Sequence, residues 1–125
     1  MSKELSLNEY QRRAMETCLP TANNFSYMML NLVGEVGEFA SKVAKAIRKD
    51  HLGILKGDLY VREKGKENFL DTNDELMAEA GDILWQLSGL CSVMGWPLDE
   101  VAEANLDKLA SRKQRNVIDG SGDNR

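Results

Sequence analysis

The 125-residue chain has two cysteines, two prolines, one histidine and no apolar run approaching 18 residues. Cys18 and Cys91 show neither Cys-x-x-Cys spacing nor a neighbouring histidine, so they read as reduced, packed thiols of a cytoplasmic protein. The missing apolar run argues against a transmembrane helix, and no membrane partner is expected. Met1-Ser2-Lys3-Glu4 leads straight into a polar amphipathic helix, with no signal peptide. No dense basic run accompanies the net charge of −4, which argues against duplex nucleic acid as a partner while leaving room for a local phosphate-binding patch. Gly-x-x-x-x-Gly-Lys-Ser/Thr is absent, and with it P-loop chemistry. So is Glu-x-x-His, which a ferritin-like di-iron site requires.

What remains is 42% hydrophobic and 29% charged, an ordinary helix-rich profile. The length suits one helical domain over residues 1–115, with a disordered polar tail over 116–125. Ser6-Leu7-Asn8-Glu9 reads as a capping box opening a helix that Pro20 ends by about residue 18. Asn24 or Ser26 caps a long helix reaching about Lys49. Its interior Gly34 and Gly37 are expected to allow close approach of a neighbouring helix or a ligand. Residues 51–72 lose periodicity and read as a loop, a lid or an unresolved hairpin, with Leu59-Tyr60-Val61 a candidate strand. Asp71, Thr72 or Asn73 should cap the next helix, Gly95 should stop it, and Pro97 should open the last, from Leu98 to about Arg115. The expected fold is all-α, resembling a four-helix bundle.

Two short motifs hold four carboxylates: Glu35-Val36-Gly37-Glu38 and Glu79-Ala80-Gly81-Asp82. Acids three apart on a helix share a face, with Cβ atoms roughly 5–6 Å apart. Asn31, Glu35, Glu38, Lys42, Lys45 and Lys49 fall within a sector of about 80°, an edge running from acid to base. Glu75, Glu79, Asp82 and Gln86 fall within about 60° on a helix otherwise apolar from Leu76 to Met94. Ionised carboxylates there need a counter-charge, and a divalent cation is the simplest one because no Arg or His cluster accompanies them. Two such pairs on facing helices make a magnesium site. Glu75 is either a fifth ligand or a first-turn acid favoured by the helix dipole. The lysines are either a surface charge ladder or a phosphate-facing edge.

The last helix turns Asn105 and Arg112 inward, within about 40° of the face that Leu98, Val101 and Leu109 define, with Lys108 at its border. Arg112 and Lys108 could neutralise phosphate oxygens, and are expected to serve phosphate more than stability. His51 reads as a helix C-terminal residue rather than a catalytic one. Trp85 projects away from its helix's main apolar stripe and is expected to pack against another subunit in preference to stacking on a base. A helix apolar on nearly all sides also predicts an oligomer, a homodimer or homotetramer.

The chain resembles the MazG-like, all-α nucleoside triphosphate pyrophosphohydrolases. The resemblance rests on Asn8-Glu9-Tyr10-Gln11-Arg12, Leu32 through Phe39, Glu79 through Trp85, and Glu103 through Leu109 with Arg112, in the family's order. It implies that Glu35, Glu38, Glu79 and Asp82 coordinate magnesium, with manganese as the alternative ion. It also implies cleavage of a nucleoside triphosphate between its α and β phosphates, releasing a monophosphate and pyrophosphate. Asn105, Lys108 and Arg112 match positions that hold the nucleotide in similar proteins, and Lys42 and Lys45 join them as phosphate-facing candidates. Glu35 or Glu38 would accept the proton of the attacking water. Residues 51–72 are longer than the usual connection between the acidic helices. The reading from a different class is a catalytically silent helical interaction module on the same fold.

Overall fold

A computed structural model describes residues 4–116; the tail expected beyond Asn116 lies outside the described residues. The fold is all-α with one small hairpin. Its elements are α1 (Leu7–Met15), α2 (Phe25–Arg48), β1 (Leu52–Leu55), β2 (Asp58–Val61), α3 (Phe69–Val93) and α4 (Leu98–Gln114), with 3₁₀ turns at Pro20–Ala22 and Glu63–Asn68.

Local signals set most helix ends. Ser6 Oγ accepts from the Glu9 N–H at 3.0 Å, and Asn24 Oδ1 accepts from the Tyr27 N–H at 2.8 Å. At the end of α2 the His51 N–H donates to Ala46 O and the Asp50 N–H to Ile47 O, with Asp50 at φ 63°. This is a Schellman closure with aspartate in the left-handed position usually taken by glycine. Gly95, at φ 75°, closes α3 the same way, its neighbour Trp96 donating to Cys91 O. The first helix ends at Met15, about one turn before the expected stop, and α3 begins at Phe69, ahead of the expected caps. The 3₁₀ turn Glu63–Asn68 runs straight into α3, so no side-chain cap is formed there.

The segment 51–72 contains a hairpin, a 3₁₀ turn and the first turn of α3. Its strands pair antiparallel from Leu52↔Val61 to Leu55↔Asp58. Lys56 (φ 51°) and Gly57 (φ 84°) form the two-residue connection, both left-handed as a type I′ turn requires. Gly65 lies so close to the His51 carbonyl that a Cβ there would stand 2.1 Å from the oxygen. The hairpin is thereby held at the end of α2.

The helices α2 and α3 form the antiparallel centre of the fold. Met28, fully buried, lies against Gly89, where an added Cβ would meet its sulfur at 2.2 Å. Gln86 donates to Met28 O and accepts from Asn31 Nδ2 at 2.9 Å. α1 crosses α3 through Gln11, whose amide donates to Ser92 Oγ and Trp96 O. The start of α4 borrows its caps from α1: Gln11 Oε1 accepts from the Leu98 N–H and Asn8 Oδ1 from the Asp99 N–H, both at 2.9 Å. Trp85 is anchored within the chain. Its Nε1 donates to Ala14 O and Thr17 Oγ1 of the first helix and the turn after it.

Candidate metal and phosphate site

The antiparallel pairing of α2 with α3 lays their two polar strips against each other. Along the seam Asn31 meets Gln86, then Glu35 meets Asp82 and Glu79, then Lys42 meets Glu79. One carboxylate oxygen from each of Glu35, Glu79 and Asp82 lies within 4.8 Å of the others. Glu35 and Glu79 are half-buried and Asp82 is exposed. Asn31 Nδ2 spans the seam, donating to Glu35 Oε1 at 3.3 Å as well as to Gln86.

Burial pushes the Glu35 carboxyl above its ordinary value, and the charges of Asp82, Glu79 and Glu38 push it further, against the lowering effect of the Asn31 bond. A group so placed lacks positive charge. Lys42 supplies some of it: its Nζ stands 3.1 Å from Glu79 Oε1. That bond, with the fields of Glu79, Glu75 and Glu38, holds the Lys42 ammonium more firmly protonated despite partial desolvation. The Tyr10 phenol is pushed up by burial and then by the charge of Asp82, which places Tyr10 within electrostatic reach of that carboxylate.

The donor set suits a hard cation. Magnesium and manganese take oxygen ligands, and magnesium binds at about 2.0–2.1 Å, so donors on its shell are at most about 4.2 Å apart. A 4.8 Å cluster comes to that spacing with small side-chain movements. Glu38 is exposed and is not a member of the three-carboxylate cluster, although its charge reaches Glu35 and Lys42. Glu75 is exposed and lines an adjoining cleft.

That cleft, of about 380 Å³, opens where the C-terminal half of α2 faces the start of α3. Lys42, Lys45 and Lys49 line one wall, with His51, Asn68 and Thr72 among the others. The basic end of the α2 edge therefore faces a cavity rather than open solvent. Asn105 and Lys108 lie elsewhere, in a second cleft of about 500 Å³ with Trp96, Glu100 and Val101, and none of the three clustered acids lines it. Arg112, on the inner face of α4, is only 5% exposed. The expectation that it serves phosphate more than stability is at odds with that burial, because a buried guanidinium is part of the packing wherever else it acts.

Asn31 and Gln86 stood on the polar strips in the sequence, but their role in joining the strips needed the facing helix. Tyr10 carried no periodic signal toward the acids. Gly34 and Gly37 were expected to admit a neighbour. Within this chain an added Cβ at Gly37 meets nothing within 4 Å, and at Gly34 only Asn31 Oδ1 at 3.4 Å. Among the described residues no helix is long and apolar enough to cross a membrane.

Comparison with known proteins bears on the same residues. The "Gene 37 protein" of Mycobacterium phage L5 is 40% identical over 123 residues, covering 93% of this chain and 96% of that protein. No solved structure matches the chain significantly. The family described as the MazG nucleotide pyrophosphohydrolase domain matches residues 23–117, a span that holds both acidic motifs, the hairpin and α4. With a facing pair of acidic helices at its centre and three quarters of its length within that match, the chain belongs to the MazG nucleotide pyrophosphohydrolase family.

Proposed function

We propose that the protein is a magnesium-dependent nucleoside triphosphate pyrophosphohydrolase, cleaving between the α and β phosphates to release a monophosphate and pyrophosphate. The observation that carries this reading is the convergence of Glu35, Glu79 and Asp82 within 4.8 Å beside Lys42. Glu35, Glu79 and Asp82 would hold magnesium, or manganese, which would supply positive charge to offset the phosphate oxygens and acidify water.

The chain's own groups do the rest. Asn31 holds the Glu35 carboxylate by a hydrogen bond, which fixes its orientation on the seam. Glu38, one turn along α2 on the exposed rim, would complete the ligand set by turning its side chain toward the cluster. Glu35 and Glu38 are the two candidates to take the proton of the attacking water, and the raised proton affinity of Glu35 suits that task. Lys42 and Lys45 face the β and γ phosphates from the basic wall. By the family resemblance Asn105, Lys108 and Arg112 would help hold the nucleotide; Asn105 and Lys108 line the cleft beside Trp96, apart from the clustered acids.

A second copy of the chain completes the fold. Buried apolar residues among the described ones are few, and Leu30 (74%), Val33 (66%) and Met77 (66%) stay exposed on the two central helices. Large apolar side chains left exposed on the central helix pair suit a face covered by a second copy.

The test is incubation with a panel of canonical and damaged nucleoside triphosphates and magnesium, scoring pyrophosphate against orthophosphate. Pyrophosphate with a monophosphate supports the reading. Orthophosphate alone makes the protein a phosphatase, and no product across the panel leaves a silent interaction module.

A further inference from the structure

Glu79 belongs to the carboxylate cluster and also to an ion pair, and the two roles compete. Lys42 Nζ sits 3.1 Å from Glu79 Oε1, and the pair is partly shielded, with side-chain exposures of 37% for Lys42 and 12% for Glu79. A cation ligated by Glu79 would neutralise the same carboxylate and repel an ammonium so close to it. Lys42 has somewhere else to go. It lines the cleft between α2 and α3 together with Lys45 and Lys49, neither of which forms an ion pair among the described residues. Asp71 and Glu75 also line this cleft, so its three lysines face two acids and leave a net positive wall. The lysine stem is flexible and its head is a compact point charge, which lets Nζ exchange one anionic partner for another without moving the helix.

We propose that Lys42 is a placeholder for the cation: it neutralises Glu79 in the cation-free protein and, when the cation takes Glu79, turns its ammonium to polyphosphate oxygens in the adjoining cleft. This deepens the assignment above and rests on the reading of Glu35, Glu79 and Asp82 as a cation site. Its consequence is coupling. A cation that frees Lys42 raises affinity for polyphosphate, and by linkage polyphosphate raises affinity for the cation.

The experiment is calorimetric titration of magnesium and of manganese, without nucleotide and at pH 8, into wild type, Lys42→Met, Lys45→Met and Asp82→Asn, followed by KM for a nucleoside triphosphate at saturating cation. Lys42→Met removes the competitor, so cation affinity should rise about two- to fivefold, the range that loss of one partly exposed ion pair allows. Lys45→Met removes the same charge from the cleft without touching Glu79, so it should leave cation affinity unchanged within twofold. KM should rise in both lysine variants. Equal or weaker cation binding by Lys42→Met than by wild type overturns the placeholder while leaving the cation site standing. Equal tightening by Lys45→Met overturns it too, since the effect would then be one of general charge. No cation binding by wild type, with Asp82→Asn indistinguishable from it, overturns the cation site and the placeholder together.

Discussion

Replacing Glu35 with glutamine should stabilise the cation-free protein while abolishing cation-dependent hydrolysis. Two carboxylates at 4.8 Å, the widest spacing in the cluster, repel by about 0.9 kcal/mol in water and by about 3.5 kcal/mol at an effective dielectric of 20. The exposure of Asp82 and the Lys42 charge on Glu79 pull the sum for Glu35 toward the lower figure. Relief of about 1 kcal/mol follows, or about 3–6 °C in Tm for a chain of this size. The amide keeps the oxygen that accepts from Asn31, so the seam loses no hydrogen bond. The pH dependence has a definite sign. Glu35 is raised above its ordinary 4.5, so above that pH the folded state retains a proton that the unfolded state has lost. Stability of the parent therefore falls as pH rises through this window, and the penalty is complete above the raised value. Below about pH 4.5 the carboxyl is protonated in both states and the advantage of glutamine should vanish. Urea denaturation of both proteins in EDTA, at pH 8 and at pH 4, reads the difference directly. A variant less stable than its parent at pH 8, or an advantage of the same size at both pH values, would refute the argument that Glu35 is destabilised by its neighbours' charge.

Magnesium should raise the melting temperature of wild type by mass action, by about 2.7 kcal/mol of stability at one hundred times Kd, and should release protons on binding; an Asp82→Asn variant should show neither in thermal shift or calorimetry. Arg112→Ala should cost about 2–4 kcal/mol, because α4 holds this arginine at 5% exposure, and any loss of activity should come with a lower urea midpoint. Gly89→Ala should cost about 1–3 kcal/mol by displacing the fully buried Met28, measured the same way. Light scattering at micromolar concentration should find at least a dimer. Val33→Asp, on the exposed face of α2, should shift it toward monomer; a monomeric wild type would contradict the oligomer.

The amino-acid sequence by itself determined what depends on neighbours in the chain. Ser6, Asn24 and Gly95 mark helix ends because a cap or a left-handed closure needs only a few adjacent residues. The acid-to-base edge of α2 and the polar strip of α3 were legible because a helical repeat assigns residues to a face wherever the helix lies. The family resemblance followed from the same motifs. Tertiary structure decided what a repeat leaves free, namely which part of a broad face meets which neighbour. It set Glu35, Glu79 and Asp82 together and left Glu38 at the rim, because a strip about 80° wide exceeds what one facing helix covers and long side chains extend in different directions. It paired Lys42 with Glu79, docked Trp85 on the first helix and buried Arg112. It also made a hairpin of residues 52–61, where each strand is four residues long. A strand that short carries too little alternation to be read alone; it is defined by the partner whose hydrogen bonds complete it, and by the His51 carbonyl that receives the Arg62 N–H at 2.9 Å beyond the last pair.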